Sequence, residues 1–288
     1  MKSTLVCVHV MPREIELFER FMYQYKRALL YLDQSDSVTI KASLNLNPEL
    51  TDWVNSELTP EYFINKFEAL FEGVPNINEI ILDNNLMGTT QQKRESIYLE
   101  YDQFIFVDAD IAFPEQLLKT QLEASYLLEG KYILIPNIIK LWDDTWDVLV
   151  HPTFLSKSHD YYKTHPPELT INQEIQEVAL SPSLSTIKFG CGMHTLYSKE
   201  FWNFIDIPEF LGGYGPEDTF AMFASIAAKQ KGHKINQHIL EGIYITEDYI
   251  NRIPSFEEKI QVFNRKQEFR DKAESRLYSE LEKFKQIL

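Results

Sequence analysis

Cysteine is almost absent: Cys7 and Cys191 are the only two in 288 residues, and they lie far apart. That excludes a disulfide framework or a thiolate metal site, and Cys7, inside an apolar run, reads as a small core residue. Basic residues are scarce beside acidic ones, 28 Lys and Arg against 43 Asp and Glu, for a formal charge of −15. A surface of that sign repels polyphosphate at long range, which argues against nucleic acid as a partner but leaves room for a local basic groove. No stretch approaches the ~20 apolar residues of a membrane helix. The apolar start, Leu5 to Val10, is stopped by Pro12-Arg13-Glu14, too short and too quickly charged for a secretory leader. The expectation is a cytoplasmic, reduced protein with no membrane span.

What is present is enough apolar side chain, 44% with 13% aromatic, to bury a substantial core. The first half alternates two periodicities. Leu5 to Val10 is strand-like, and Glu14 to Leu32 places Leu17, Phe18, Phe21, Tyr25 and Leu29 at helical spacing. Val38 to Leu46 reads as a strand, Pro60 to Phe71 as a helix closed by Gly73, Glu79 to Leu82 as a strand and Thr90 to Tyr101 as a helix. Phe104 to Val107 is a short buried strand, Pro114 opens a helix to Leu128 with Gly130 beyond it, and Tyr132 to Ile135 is another strand. Repeated β-α-β units predict an α/β fold, a Rossmann-like, mostly parallel sheet flanked by helices.

From Trp142 to Ser185 periodicity is lost, which marks a binding loop, a lid or a disordered insertion. Order resumes over Thr186 to Tyr197, a short helix near Lys199 to Phe204, a helix from Pro216 to Lys229 and one or two strands over Ile235 to Ile245. From Ser255 the chain is strongly helical, with Ile260, Phe263, Leu277, Leu281 and Phe284 as a broken apolar stripe. That C-terminal helix either packs on its own domain or binds a partner.

Two segments carry the chemistry. The run Phe104-Ile105-Phe106-Val107 ends in Asp108-Ala109-Asp110, with Pro114 shortly after. Residues i and i+2 of an extended chain point the same way, so both carboxylates can converge on one divalent cation, or on a cation and a ribose. Oxygen ligands suit Mg²⁺ or Mn²⁺, which neutralise a diphosphate leaving group. The ends of strands are also where open α/β sheets bind ligands. The plainer alternative is one carboxylate capping the helix at Pro114 and the other solvated. The second segment is Leu211-Gly212-Gly213-Tyr214-Gly215-Pro216-Glu217-Asp218. Its glycines permit turns and close approach by a ligand. Pro216 then sets Glu217 and Asp218 in a first helical turn, where acidic groups either stabilise the helix or take the proton of an attacking hydroxyl. Tyr214 and Trp202 are either platforms for a sugar face or core residues. Asp83-Asn84-Asn85 follows a strand and is either a nucleotide contact or a plain turn; Lys93 and Arg94 either meet a diphosphate or lie on a solvated helix face.

The β-α-β start, the strand ending in Asp108-Ala109-Asp110 and the Gly-Gly-Tyr-Gly-Pro-Glu-Asp segment together resemble glycosyltransferases of the GT-A fold. The likeness is to the family-2-like and galactosyltransferase-like groups, and it runs over roughly Ser3 to Tyr249. The resemblance implies a GT-A-like domain with a nucleotide-sugar-binding half at 1–140, an acceptor-binding and catalytic half at 141–254 and a C-terminal helix at 255–288. It implies that Asp108 and Asp110 hold Mn²⁺ or Mg²⁺, with Asp108, Asn84 and Arg94 on the nucleotide. Asp218 would be the base of an inverting member, with Glu217, Gly213, Tyr214 and Trp202 on the substrate. Similar enzymes often add a His as third metal ligand from a later strand. Here that region reads Ile245-Thr246-Glu247-Asp248-Tyr249, with no His. The expected donor is a nucleotide sugar, UDP-linked for preference, and the favoured acceptor a glycan or small molecule. A modified DNA base is the alternative acceptor, and a non-catalytic carbohydrate-binding relative the alternative from another class. Nucleotidyl transfer ranks low, because His9-Val10-Met11-Pro12-Arg13 after the first strand contains no phosphate-cradling glycine.

Overall fold

The computed structural model describes residues 2–47, 59–75, 79–85, 88–139, 175–178, 193–211, 216–247 and 256–288. Among these residues nine strands form one sheet: β1 (Thr4–Val10), β2 (Val38–Asn45), β3 (Glu79–Asn85), β4 (Gln103–Asp108), β5 (Ile111–Ala112), β6 (Tyr132–Ile139), β7 (Ile175–Val178), β8 (His194–Ser198) and β9 (Asn236–Glu247). Their order is β3-β2-β1-β4-β8-β6-β9-β5, with β7 also paired to β9. The β3-β2-β1-β4 block is parallel throughout, as is β6 with β9. Only β8, between β4 and β6, and the short β5 and β7 run against their neighbours. The fold is thus α/β with a mostly parallel sheet.

Helices cover both faces: α1 (Ile15–Leu29), α2 (Pro60–Ala69), α3 (Thr89–Ile97), α4 (Leu117–Tyr126), α5 (Lys199–Ile205), α6 (Glu217–Gln230) and the C-terminal α7 (Phe256–Ile287). Local chemistry sets their starts. The Thr59 side chain accepts from the Tyr62 amide at 3.3 Å ahead of Pro60, and Ser198 accepts from the Phe201 amide at 3.1 Å. Gly130, at φ 72°, makes the left-handed turn between α4 and β6.

Alternation along the strands sorts the core into two layers. Val6, Val8 and Val10 of β1, Ile40, Ala42 and Leu44 of β2 and Ile105 and Val107 of β4 pack toward α1, α2 and α4. Leu5, Cys7, Phe104 and Phe106 face the other way, toward Ile97 of α3, Phe201 and Trp202 of α5, Phe220 of α6 and Leu277, Leu281 and Phe284 of α7. Leu277, Leu281 and Phe284 of the C-terminal helix's apolar stripe are therefore packed on its own domain, while the side chains of Ile260 and Phe263 lie outside the described ones.

Several boundaries differ from the expected ones. The first helix begins at Ile15 after a 3-10 turn over Pro12–Glu14, and the fourth begins at Leu117, three residues after Pro114. Where one or two strands were expected over Ile235 to Ile245, a single strand, β9, runs on to Glu247. Of the irregular 142–185 segment only β7 lies among the described residues. No described helix is long and apolar enough to cross a membrane.

Candidate active site

At the carboxyl ends of the parallel strands the layer facing α3 turns from apolar to polar. His9 of β1 stands in register with Asp108 of β4 on one side and Ser43 of β2 on the other. Continuing each strand by two residues from the apolar layer puts His9 after Cys7, Asp108 after Phe106, and Lys41, Ser43 and Asn45 in one row. Helix α3 lies across this polar row. Lys41 Nζ donates to Ser96 Oγ at 3.3 Å, Ser43 Oγ donates to Gln92 Oε1 at 3.2 Å, and Lys93 Nζ sits 5.5 Å from the centre of the Phe106 ring.

The start of α6 closes the site from above. Glu217 forms an ion pair with Lys93 through Oε1 and accepts from Thr90 Oγ1 through Oε2 at 3.0 Å. Both charged side chains are buried, at 7% and 9% exposed. Asp218, next in the helix, accepts from the Thr219 amide at 2.6 Å. Asp108 ends β4 with its amide donating to the Met193 carbonyl at 3.1 Å. Asp110, 6% exposed, follows in the turn between β4 and β5. That turn is stapled to the end of β9, where Ile111 pairs with Glu247 and Ala112 with Thr246.

The electrostatics show how closely these groups sit. Burial first, and then the charges of Asp110, Glu217 and Asp218, push the Asp108 carboxyl up to about 7, against the pull of Lys93. Asp218 is raised as well, by loss of solvent and then by Glu217, with Lys93 and the bonds from Thr219 opposing. Lys93 is raised, because Glu217, Asp108 and Asp218 together outweigh its own desolvation. His9 is held neutral, its protonation opposed by burial and then by Lys93 and Lys41. Three carboxylates, Glu217, Asp108 and Asp218, therefore act on one ammonium, with Asp110 acting on Asp108, an excess of acidic groups that could suit a hard divalent cation. Asp108 and Asp110 could offer two oxygen donors to such an ion; among the described residues no group of three His, Cys, Asp or Glu side chains is disposed to hold a metal.

The expected site residues divide as follows. Asp108, Asp110, Glu217 and Asp218 come together. Glu217, however, does not reach toward an acceptor: both oxygens are engaged and the side chain points into the protein. Lys93 is likewise committed to Glu217 rather than open to a diphosphate. Arg94 turns away from the row, its Nε donating to the Ile207 carbonyl at 2.9 Å and its guanidinium lying over the Tyr98 ring. Trp202 is 3% exposed between Phe106, Tyr197 and Phe201, a core residue with no face left for a sugar. Asn84 lies on β3 in register with Leu44, at the carboxyl edge. Gly213 and Tyr214 lie outside the described residues.

Sequence reasoning missed the buried polar atoms beside the carboxylates. Both ring nitrogens of His9, Nδ2 of Asn45 and Nε2 of Gln92 are buried without a hydrogen-bond partner among the described residues. The signal was present as polar residues at every second position, Lys41, Ser43 and Asn45, in an otherwise buried strand.

No protein-family model and no curated protein matches the sequence. Among solved structures, the chain is similar to S. aureus TarS in complex with UDP-GlcNAc, at 14% identity and a TM-score of 0.47 over 90% of this chain and 64% of that one. The TarS complex with UDP gives 14% identity, a TM-score of 0.46 and coverage of 91% and 64%. GalNAc-T7 with UDP, GalNAc and Mn²⁺ gives 9% identity, a TM-score of 0.48 and coverage of 86% and 44%. The chain thus spans less than two thirds of the length of these proteins. Likenesses this loose carry no argument about activity, which rests on the side chains alone.

Proposed function

We propose that the chain is a metal-dependent glycosyltransferase that moves a sugar from a nucleoside diphosphate, UDP for preference, to a hydroxyl of a glycan or small molecule. The observation that carries this reading is the meeting of Asp108 and Asp110, from the end of a buried strand, with Asp218, from the first turn of α6. Chemistry that separates a diphosphate from a sugar needs a cation at the leaving group and a base at the incoming hydroxyl. This arrangement has a carboxylate set for each.

In this reading Asp108 and Asp110 hold Mn²⁺ or Mg²⁺, which supplies positive charge to the diphosphate as it departs. His9, Asn45 and Gln92, with their unpartnered buried atoms, take up the polar edges of the nucleotide at the ends of β1 and β2. Asp218 accepts the proton from the acceptor hydroxyl as its oxygen attacks the anomeric carbon. Its raised pKa serves that role, since a base works best when its pKa approaches the working pH. The backbone of Glu247, paired beside the turn of Asp110, makes the end of β9 the natural origin of a further ligand.

The test is thermal denaturation with Mn²⁺ and a panel of UDP-sugars, because a ligand that binds only the native state raises its melting temperature. The expected outcome is a shift that requires metal and sugar nucleotide together and disappears in Asp110→Ala. Equal shifts with and without metal, in wild type and variant alike, would refute the metal assignment.

A further inference from the structure

The paired side chains of α3 and α6 have a consequence for the base. Glu217 and Asp218 are neighbours in one helical turn, yet only Asp218 is partly open to solvent; Glu217 is locked inward by Lys93 and Thr90. We propose that Lys93, anchored over Phe106 and paired to Glu217, is a positioning residue that fixes the first turn of α6 and so aims Asp218 at the acceptor. This rests on the glycosyltransferase reading for the word acceptor, but not for the mechanical link itself.

Three features support it. First, the link crosses the molecule: Lys93 and Thr90 belong to α3 and Glu217 to α6, more than 120 residues away in sequence. Second, Pro216 precedes the helix with φ −79° and ψ 58° and no side-chain cap, so the turn carrying both acids is held by side chains rather than by a capping bond. Third, a buried ion pair with both partners desolvated is a poor source of net stability and is best attested as a device for fixing one geometry. The positive charge also acts directly on the two outer carboxylates, opposing the upward shifts of Asp108 and Asp218. Lys93 thereby touches both ends of the reaction without contacting either reactant.

The experiment compares wild type with Lys93→Met, Lys93→Arg and the double variant Lys93→Met/Glu217→Gln, which removes both charges of the ion pair so that neither partner is left buried alone. Two readouts are taken. Hydrogen exchange of the Thr219 amide, the donor to Asp218 Oδ1, reports the orientation of the base with no substrate present. Turnover with the UDP-sugar is read separately as kcat and donor KM. Misplacement of a reacting group by ~1 Å costs about 10²-fold, so kcat should fall by that much in Lys93→Met and in the double variant at unchanged donor KM. Thr219 exchange should accelerate in both, and Lys93→Arg should restore most of each signal. Unchanged Thr219 protection in the folded double variant would overturn the proposal, as would wild-type kcat there. If wild type turns over no sugar nucleotide, the glycosyltransferase reading fails and the exchange result alone decides the role of Lys93.

Discussion

The two faces of the sheet are built from alternate residues of the same strands, yet they do different work. On the α1 side the inward residues of β1, β2 and β4 are apolar except Thr4 and Gln103, which bond to each other at 2.8 Å, and the layer closes on a cluster in which Phe18 meets Phe21 and Phe67 at 5.7 Å and Phe71 at 5.9 Å. On the α3 side the same strands end in His9, Asn45 and Asp108, and the covering helices bring Lys93, Glu217 and Asp218 to meet them. The first layer gains free energy by excluding water. The second buries charges and unpartnered polar atoms, a cost that folding alone does not require. The contrast teaches that the polar layer is stabilised by the apolar one, and that the two respond to different perturbations.

The sharpest break between them is expected at Asp218. Asp218→Asn keeps size and hydrogen bonding but takes no proton near neutral pH. Sugar transfer should fall by ~10²–10⁴-fold, up to about 5 kcal/mol of barrier, while donor affinity holds and the melting temperature, relieved of a buried charge, does not fall. Product stereochemistry by NMR supplies the second check. A retained anomeric configuration with near-normal turnover in the variant would remove Asp218 from the base position.

On the apolar face the same logic runs in reverse. Phe18 is fully buried at the centre of its ring cluster, so Phe18→Ala should cost ~3–5 kcal/mol of stability, measured by denaturant unfolding, with no change in the pH dependence of the loss. A cost below ~1 kcal/mol would mean that this layer does not carry the fold.

Asp108 gives an intermediate effect of opposite sign. Its carboxyl is raised from 3.8 to about 7, so between those values the folded state holds a proton that the unfolded chain has lost. Metal-free protein should therefore lose stability as pH rises from about 4 to 7. Asp108→Asn removes that penalty. At about pH 8 the metal-free variant should be more stable than wild type by on the order of a few kcal/mol, while losing metal-dependent nucleotide binding. Parallel stability-against-pH curves for the two proteins would show that Asp108 pays no such cost.

Much of this division was legible in the sequence, and the illegible part has one physical cause. Strand and helix positions in the β-α-β half follow from periodicity because burial on each face is a local property of the chain. The Asp-x-Asp turn and the Glu-Asp start of α6 were visible for the same reason, as charges placed at the ends of apolar patterns. The partnership of Lys93 with Glu217 was not, since nothing local distinguishes a lysine on a polar helix from one that reaches across the molecule. Trp202 failed in the opposite direction: an aromatic residue beside a candidate site has the same composition whether its ring is open to a sugar or packed against Tyr197. The antiparallel course of β8 also leaves no local trace, because a five-residue strand reads alike in either direction.

His194 blurs the comparison, and so provides its finest test. It belongs to the apolar face, ringed by Tyr25 and Phe113 at 6.4 and 6.0 Å, with both ring nitrogens buried and no hydrogen-bond partner among the described residues. Burial, only partly offset by its own backbone, lowers it from 6.5 to about 3. A base whose folded pKa is depressed lets the unfolded state bind the extra proton, so its contribution is intact above pH 6.5 and lost as pH falls toward 3. Going from neutral pH to about pH 5, that loss comes to about 2 kcal/mol. His194→Phe suits the aromatic surroundings and cannot titrate. Overpacking lowers its stability at every pH, but the extra drop between neutral pH and pH 5 should shrink by that amount. The buried His9 still titrates in the variant, so a residual slope remains and the difference between the two curves isolates His194. If the curves of wild type and His194→Phe fall in parallel, acid sensitivity resides wholly in the polar face, and the apolar layer is indifferent to pH.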